Sequence, residues 1–346
     1  MSPSPRRWSE DDVRIRPNPR GNRPRTKDRP AHAEAVPGRV VAVDRGRYTA
    51  MVGEDGPDER TVMAMKAREL GRAGVVVGDR VELVGDTSGT SDTLARVVRV
   101  TPRGRTLRRT ADDTDPVERV IVANVDQLVV VTALADPEPR PRMVDRCLVA
   151  AFEAGLDVLL VLTKADLASP RAFLDQYAAL DLGAVATRRE GTVIVGLEAL
   201  RERLEGRESV LIGHSGVGKS TLVNALVPDA LRAVGHVNDV TGRGRHTSSS
   251  AVALRLRDAA GGPAGWVVDT PGVRSFGLAH VQPESLLTAF DDLEPGAARC
   301  PRGCSHDETE CGLDDFVASG AAGETGPARL ESFRRLVRAL RAGSEE

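Results

Sequence analysis

The order of two short motifs constrains this chain more than any other feature. Gly213-His214-Ser215-Gly216-Val217-Gly218-Lys219-Ser220 has the spacing G-x-x-x-x-G-K-S and is followed by Thr221. It comes directly after the apolar run Ser209–Ile212 and opens a helical pattern over Lys219–Leu226. Strand, glycine-rich loop and helix together make a phosphate-binding loop, in which backbone N–H groups wrap the phosphates and the helix N-terminus adds its positive end. Lys219 is expected to reach the β- and γ-phosphates, and the Ser220 hydroxyl to ligate Mg²⁺. Thr163-Lys164-Ala165-Asp166 ends a second apolar run, Val158–Leu162. It fits [NT]-K-x-D, whose Asp accepts two hydrogen bonds from guanine. Adenine has no donor there and would leave the carboxylate buried and unpaired. In most guanine-specific P-loop proteins the base box comes last; here it precedes the phosphate loop. One sheet accommodates that order if the chain enters through its base-binding half and leaves through the half that senses the γ-phosphate.

The rest of the γ-phosphate side can be read in the same way. Asp269-Thr270-Pro271-Gly272 follows the buried-looking run Trp266–Val268. Asp269 is placed to hold the Mg²⁺ shell through water, and the Gly272 N–H to sense the γ-phosphate. Between the two segments runs Thr241-Gly242-Arg243-Gly244-Arg245-His246-Thr247-Ser248, a polar loop with Thr247 as the expected Mg²⁺ ligand and Ser248 beside it. Many enzymes of this kind orient the attacking water with a Gln just after Asp-x-x-Gly; this chain has Val273 there. His246 is the candidate replacement, able to orient water or relay its proton; the alternative is a loop histidine with no part in the chemistry. Arg243, Arg245 or Arg274 could stabilise transition-state charge. A second base-contacting loop is expected near Ala186-Thr187, where Ser-Ala is usual and the match is poor.

Alternating strand-like and helical runs from about Asp126 imply a mostly parallel sheet covered on both faces. The strands are read at Gln127–Ala133, Val158–Leu162, Ala184–Ala186, Ser209–Ile212, Val252–Arg257 and Trp266–Val268. The helices are read near Met143–Glu153, Ala172–Ala179, Leu197–Leu204, Lys219–Leu226 and Pro283–Phe290. Upstream, Arg39–Asp44, Tyr48–Gly53, Arg60–Met65, Arg80–Val84 and Thr93–Val100 alternate as five short strands, which fits a small closed barrel of the OB type. With Tyr48 as its aromatic residue, the barrel is poorly equipped to stack bases. Arg39, Arg45, Arg47, Arg68, Arg72 and Arg80 are candidates for touching the phosphates of folded RNA, and a plain structural barrel is the alternative. Residues 1–30 hold nine Arg or Lys against four Asp or Glu, with six Pro. Residues 1–35 therefore read as a disordered basic tail, either simply solvated or in contact with a polyanion. The division expected is tail 1–35, barrel 36–103, permuted nucleotide domain 104–294 and C-terminal domain 295–346.

Three of the four cysteines fall between Cys300 and Cys311. Cys300, Cys304, His306 and Cys311 offer three thiolates and an imidazole within twelve residues, a donor set suited to closed, structural Zn²⁺ and not to a disulfide framework. Cys147 lies on an apolar helical pattern and reads as core. Few cysteines, no apolar run of bilayer length and no signal-like N-terminus suggest a cytoplasmic chain with no membrane contact. The net charge of −2 excludes simple polyanion binding by the chain as a whole.

Together, the permuted order, Gly213–Thr221, Gly242–Thr247, Asp269–Gly272 and the Cys300–Cys311 cluster resemble the ribosome small subunit-dependent GTPase A family (RsgA), over roughly residues 36–340. The resemblance implies an OB barrel, a circularly permuted GTPase domain and a C-terminal zinc domain. It further implies a late assembly factor of the small ribosomal subunit that binds GTP or GDP and rRNA, is stimulated by that subunit, and needs Mg²⁺ and one structural zinc. Other assembly factors are possible partners, and the chain is expected to be a monomer. The zinc ligands here are slightly closer together than in better-known members, and the Ala186-Thr187 loop departs from the family pattern. Rival readings are a permuted GTPase of the large subunit or another ribonucleoprotein, an ATP-dependent kinase, and a zinc RNA-binding protein with an inert nucleotide site. Asp166 argues against the kinase, and the presence of Lys219, Ser220 and Asp269 argues against the inert site. Asp166→Asn is expected to weaken GTP binding and improve xanthosine triphosphate binding, as measured by nucleotide competition; unchanged GTP affinity would remove Asp166 from the site.

Overall fold

The computed structural model describes residues 32–71, 74–90, 93–110, 118–228, 251–270, 277–308 and 310–342. The five-strand expectation is met by β1 (Val36–Asp44), β2 (Arg47–Val52), β3 (Arg60–Lys66), β4 (Arg80–Gly85) and β5 (Ala95–Val100). They pair in the order β1-β2-β3-β5-β4, and β4 returns to β1 through Val36↔Leu83 to Arg39↔Arg80, closing the barrel. A shift in register after Val40 bends β1 and lets it serve both the barrel and the next sheet. The barrel interior is small and aliphatic: Val40, Ala50, Val62, Val81, Leu83 and Val97 fill it, with Tyr48 buried among them. Tyr48 is therefore core, in keeping with a barrel that does not stack bases.

A hairpin of β6 (Thr106–Arg109) and β7 (Arg119–Ala123), not foreseen from the pattern, links the barrel to the second half. There the strands are β8 (Gln127–Ala133), β9 (Asp157–Thr163), β10 (Gly183–Ala186), β13 (Arg207–Ile212), β14 (Val252–Arg257) and β15 (Pro263–Asp269). Their order is β10-β9-β8-β13-β15-β14, all parallel except β14. A small hairpin, β11 (Arg188–Glu190) with β12 (Val193–Val195), follows β10 and was also not anticipated. The period-2 geometry of strands explains the continuous apolar runs. Leu128, Val130, Leu160, Leu162, Val210 and Ile212 pack on one face, whereas Val129, Val131, Leu159, Val161 and Leu211 pack on the other.

The second face is covered by α3 (Leu197–Leu204) and α4 (Lys219–Leu226), through Leu200, Leu204, Leu222, Val223 and Leu226. The first is covered by α1 (Pro141–Glu153) and continues into the C-terminal helices α5 (Pro283–Leu287), α6 (Glu294–Ala297), α7 (Gly312–Ala318) and α8 (Gly326–Arg341). Over the predicted helix at 172–179, one turn of α-helix, α2 (Arg171–Leu174), passes into a 3₁₀ segment, Asp175–Leu180. Helix α8 is pinned to α1 by Arg335 on Asp145 and by the Arg146 guanidinium donating to the Ala339 carbonyl at 2.9 Å. Cys147 is fully buried, as read from the sequence, and burial pushes its thiol up to about 12. None of the described helices is long and apolar enough to cross a membrane.

Barrel and sheet are one hydrogen-bonded surface, joined where β1 meets β14 at Ala42↔Val252. Charge reinforces the joint. Arg39, only 1% exposed, forks onto both oxygens of Glu208 and reaches Glu54. This corrects the expectation that Arg39 touches RNA phosphates: its buried guanidinium is spent on two half-buried carboxylates. Arg80 also pairs with Glu54, whereas Arg45, Arg47 and Arg68 are exposed and Arg72 lies outside the described residues. Burial alone would raise the Glu54 carboxyl, but the charges of Arg39 and Arg80 and hydrogen bonds from Arg80 and Trp266 hold it below its ordinary value of 4.5. A carboxyl depressed in the folded state stabilises the protein above its unfolded pKa, and that stability is lost as pH falls through the folded value. Arg39→Met, which strips the charge from a buried pair, is expected to cost about 3 kcal/mol at neutral pH. The deficit should shrink below the ordinary glutamate range. Urea unfolding of wild type and variant at neutral and acid pH measures both effects, and a neutral-pH loss below about 1 kcal/mol would show the joint to be held by other contacts.

Candidate active site and metal centre

Strand β13 delivers the phosphate loop. A Cβ on Gly213 would sit 2.5 Å from the Val131 carbonyl oxygen, so the chain can leave the sheet beside β8 only as glycine. Gly216 and Gly218 have φ of 84° and 89°, the left-handed region that glycine enters without penalty. Between them Val217 is fully buried and anchors the loop to the core. Gly218 caps α4, whose first residue is Lys219. The Lys219 ammonium is buried and reaches the Asp269 carboxylate and the Thr270 carbonyl, the latter at 3.1 Å. Thr270 donates its hydroxyl to the Leu211 carbonyl at 2.7 Å, which ties the end of β15 to β13. Ser215, Ser220 and Thr221 are exposed at the loop and first helical turn. His214 is half-buried; burial, against a hydrogen bond with the Ser215 carbonyl and aided by the positive charge of Arg140, pushes its imidazole below its usual pKa.

The base box meets this loop in space. The Thr163 hydroxyl donates to the Val217 carbonyl at 2.6 Å, inside the phosphate loop. Lys164 has φ 58° and directs its ammonium to the Asp136 carbonyl, on the loop after β8. Asp166 is exposed, with no side-chain hydrogen bond among the described residues. The poorly matching Ala186-Thr187 segment also converges here. Thr187 N–H donates to the Leu162 carbonyl at 2.7 Å, and Ala165 N–H donates to the Thr187 carbonyl at 3.0 Å. Backbone pairing, not residue identity, places that segment beside the base box. Thr163, Lys164, Asp166, Gly213 to Thr221 and Asp269 thus gather at the carboxyl ends of β9, β13 and β15, where ligands of open α/β sheets bind. Gly272, His246, Thr247, Ser248, Arg243, Arg245, Arg274 and Val273 lie outside the described residues. Sequence reasoning did not find the roles of Asp136, Glu208 or Trp266, because their partners are distant in the chain and no motif marks them.

An oxygen set of Ser220 and Asp269 suits Mg²⁺, a hard cation that takes one or two protein oxygens alongside phosphate. The second metal candidate is more complete. One ligand atom each from Cys300, Cys304, His306 and Cys311 lies within 4.8 Å of the other three. Cys300 Sγ is 3.8 Å from Cys311 Sγ and 3.5 Å from His306 Nδ1, and Cys311 Sγ is 3.8 Å from the same nitrogen. A tetrahedron with Zn–S bonds of about 2.3 Å has edges of roughly 3.8 Å, so the donors fit zinc. Burial pushes His306 below its usual pKa, favouring the neutral imidazole that ligates. Helix α8 grips the loop from outside. Arg334 donates to the His306 carbonyl at 2.9 Å and forks onto Asp314, while Arg338 forks onto Asp307.

A sheet with these motifs at the ends of its strands, entered through the base box and left after Asp269, defines a circularly permuted P-loop GTPase. The RsgA GTPase family model matches residues 100–279. Among curated proteins, the chain is 37% identical to the small ribosomal subunit biogenesis GTPase RsgA of Gemmatimonas aurantiaca, covering 86% of this chain and 95% of that one. It is 35% identical to the protein of the same name from Chlorobaculum parvum, covering 89% and 99%. Among solved structures it resembles YjeQ from Thermotoga maritima, with TM-score 0.60, 27% identity and coverage of 89% and 99%. YloQ, described as a circularly permuted GTPase, shares the fold at TM-score 0.59 and 21% identity, covering 91% and 98%. The chain belongs to the RsgA GTPase family and is a GTP-hydrolysing enzyme.

Freshly purified protein is expected to carry one zinc per chain, and Cys304→Ser to lose it and lower the melting temperature. Metal analysis finding no zinc before any chelator is added would overturn the four-ligand reading.

Proposed function

We propose that this enzyme binds the small ribosomal subunit late in its maturation, hydrolyses GTP when that subunit stimulates it, and leaves in the GDP state. The observation that carries the reading is a closed barrel continuing the edge of a permuted GTPase sheet, with a Cys₃His cluster in the helical layer over one face of that sheet, in a chain that matches small-subunit biogenesis GTPases over nearly their whole length. On this reading the barrel spans 36–103, the GTPase domain 104–294 and the zinc domain 295–346. It acts as a monomer in the cytoplasm, and residues 1–35 form the basic tail, of which 1–31 lie outside the described residues.

The roles follow from the chemistry of the site. Lys219 and the N–H groups of Gly213 to Ser220 hold the phosphates; Asp166 selects guanine; Thr163 holds the base box against the phosphate loop, and Lys164 holds it to the loop after β8. Mg²⁺, when bound, supplies charge neutralisation at the β- and γ-phosphates, with Ser220, Thr247 and Asp269 as the residues that would hold it. Gly272 reports the γ-phosphate, and His246 orients the attacking water in place of the missing Gln. Zinc, when bound to Cys300, Cys304, His306 and Cys311, supplies rigidity to the C-terminal domain. Without the Gln, basal hydrolysis is slow and waits for an RNA surface to close the switch loops. Coupling of that kind is reciprocal: a subunit that favours the GTP state is bound more tightly in that state by the same factor.

GTP turnover with no ribosomal particle, with purified small subunits and with purified large subunits is expected to show stimulation by small subunits alone. Co-sedimentation is expected to be stronger with a non-hydrolysable GTP analogue than with GDP. Stimulation by large subunits, or equal affinity in the two nucleotide states, would defeat the reading.

A further inference from the structure

Trp266 sits in β15 three residues before Asp269 and is 5% exposed. Its Nε1–H donates to the Glu54 carboxylate at 2.9 Å, and Glu54 belongs to the turn after barrel strand β2. The Trp266 ring lies close to two guanidinium groups, with Arg39 4.7 Å and Arg255 5.0 Å from the ring centroid. Both arginines are held by carboxylates across the barrel–sheet joint. Arg39, on β1, forks onto Glu208 of β13; Arg255, on β14, pairs with Asp55 at 2.9 Å and with Glu59, from the same barrel turn as Glu54.

The register makes these contacts a single row. Glu208 pairs with Trp266 across β13–β15, and Trp266 pairs with Arg255 across β15–β14. The row therefore crosses the three strands that bound the γ-phosphate side of the site. Strand β13 leads to Gly213, β15 ends at Asp269, and β14 begins at Val252, shortly after the Thr241–Ser248 sequence in the chain. Three residues along a strand is about 10 Å, so the barrel grips β15 one short, fully paired span away from Asp269. Nearer the site the barrel touches the same strands again: Ala42 of β1 pairs with Val252, and Val252 pairs with Asp269. Beyond Asp269, the hairpin that leaves the barrel holds the exit of the segment, with Thr110 N–H donating to the Gly277 carbonyl at 3.0 Å.

We propose that the Glu208–Trp266–Arg255 row, gripped by Arg39 and Glu54 of the barrel, transmits the position of the barrel to the Asp269 segment, with Trp266 and Glu54 acting as positioning residues for the stimulation of hydrolysis and not for the basal reaction. A part-buried N–H···O bond to a carboxylate weakens as it lengthens beyond the normal range, so movement of the barrel against the sheet is felt by β15. The inference rests on the proposed stimulation by the small subunit and identifies the part of the enzyme that carries it.

Trp266→Phe keeps the ring near the two arginines and deletes the donor; Glu54→Ala deletes the acceptor; Glu54→Gln retains an acceptor oxygen. The first two are expected to lower small-subunit stimulation by on the order of tenfold while leaving basal turnover and KM for GTP unchanged. The double variant should lose no more than either alone, and Glu54→Gln should keep most of the stimulation. A contact that only stabilises the fold would lower the melting temperature in all variants and spare the stimulation. Full stimulation of Trp266→Phe and Glu54→Ala, with wild type stimulated in the same assay, overturns the inference. Wild type that is not stimulated at all defeats the functional reading instead, and the row is then judged by fluorescence. The chain has two tryptophans, Trp8 and Trp266. In Trp8→Phe protein, Trp266 emission is expected to differ between GDP and a non-hydrolysable GTP analogue; identical spectra overturn the inference on their own.

Discussion

The parallel ladder between β8 and β13 is the interaction on which the rest of this structure depends. In an unpermuted chain of this class the phosphate-loop strand comes early and the base-box strands late. Here Gln127–Val130 must find Ser209–Ile212 across some eighty intervening residues, and the ladder is what joins the two halves of the nucleotide site. It is reinforced where it begins, by a buried hydrogen bond of 3.0 Å between Ser209 and Gln127. Once it forms, the Val131 carbonyl faces Gly213 and Thr163 comes within hydrogen-bond reach of Val217. The Thr163–Asp166 and Gly213–Ser220 motifs are then separate in sequence but adjacent in space.

Permutation also decides what each flank of the enzyme can influence. The chain enters through the barrel and hairpin and continues after the Asp269 segment into the C-terminal helices and the Cys300–Cys311 cluster between them. The barrel is seated on β13, β14 and β15, and α8 is seated on α1 and the 3₁₀ segment of the base-binding half. The two flanks therefore hold opposite halves of the nucleotide site. A ligand large enough to touch both would act on both halves at once.

The paired charges at the barrel joint do more to fix a geometry than to add stability. Apolar residues of similar volume would commonly stabilise such a joint as well or better, since desolvation consumes much of what an ion pair returns. Arginine forks and an indole N–H instead fix one relative position, and lose their value if that position changes.

Much of this enzyme was legible from sequence because its chemistry sits on contiguous motifs. Gly213 to Ser220, Thr163 to Asp166 and the Cys300–Cys311 cluster each carry their function in local spacing, and strands such as Gln127–Ala133 announce themselves by being buried on both faces. Helix ends were less legible, as in the 3₁₀ turn at Asp175–Leu180, because frayed turns are settled by packing. The Ala186-Thr187 loop looked degenerate by residue type, yet backbone hydrogen bonds to Leu162 and Ala165 put it beside the base box; backbone groups are the same in every residue and leave no trace in sequence. Arg39 shows the limit most clearly. By sequence it was one more basic residue on a barrel, fit for RNA. Only the tertiary structure, by closing β1 onto β4 and seating the barrel on β13 to β15, buried it between Glu208 and Glu54, because the energy of a charge is set by the groups that the fold brings around it.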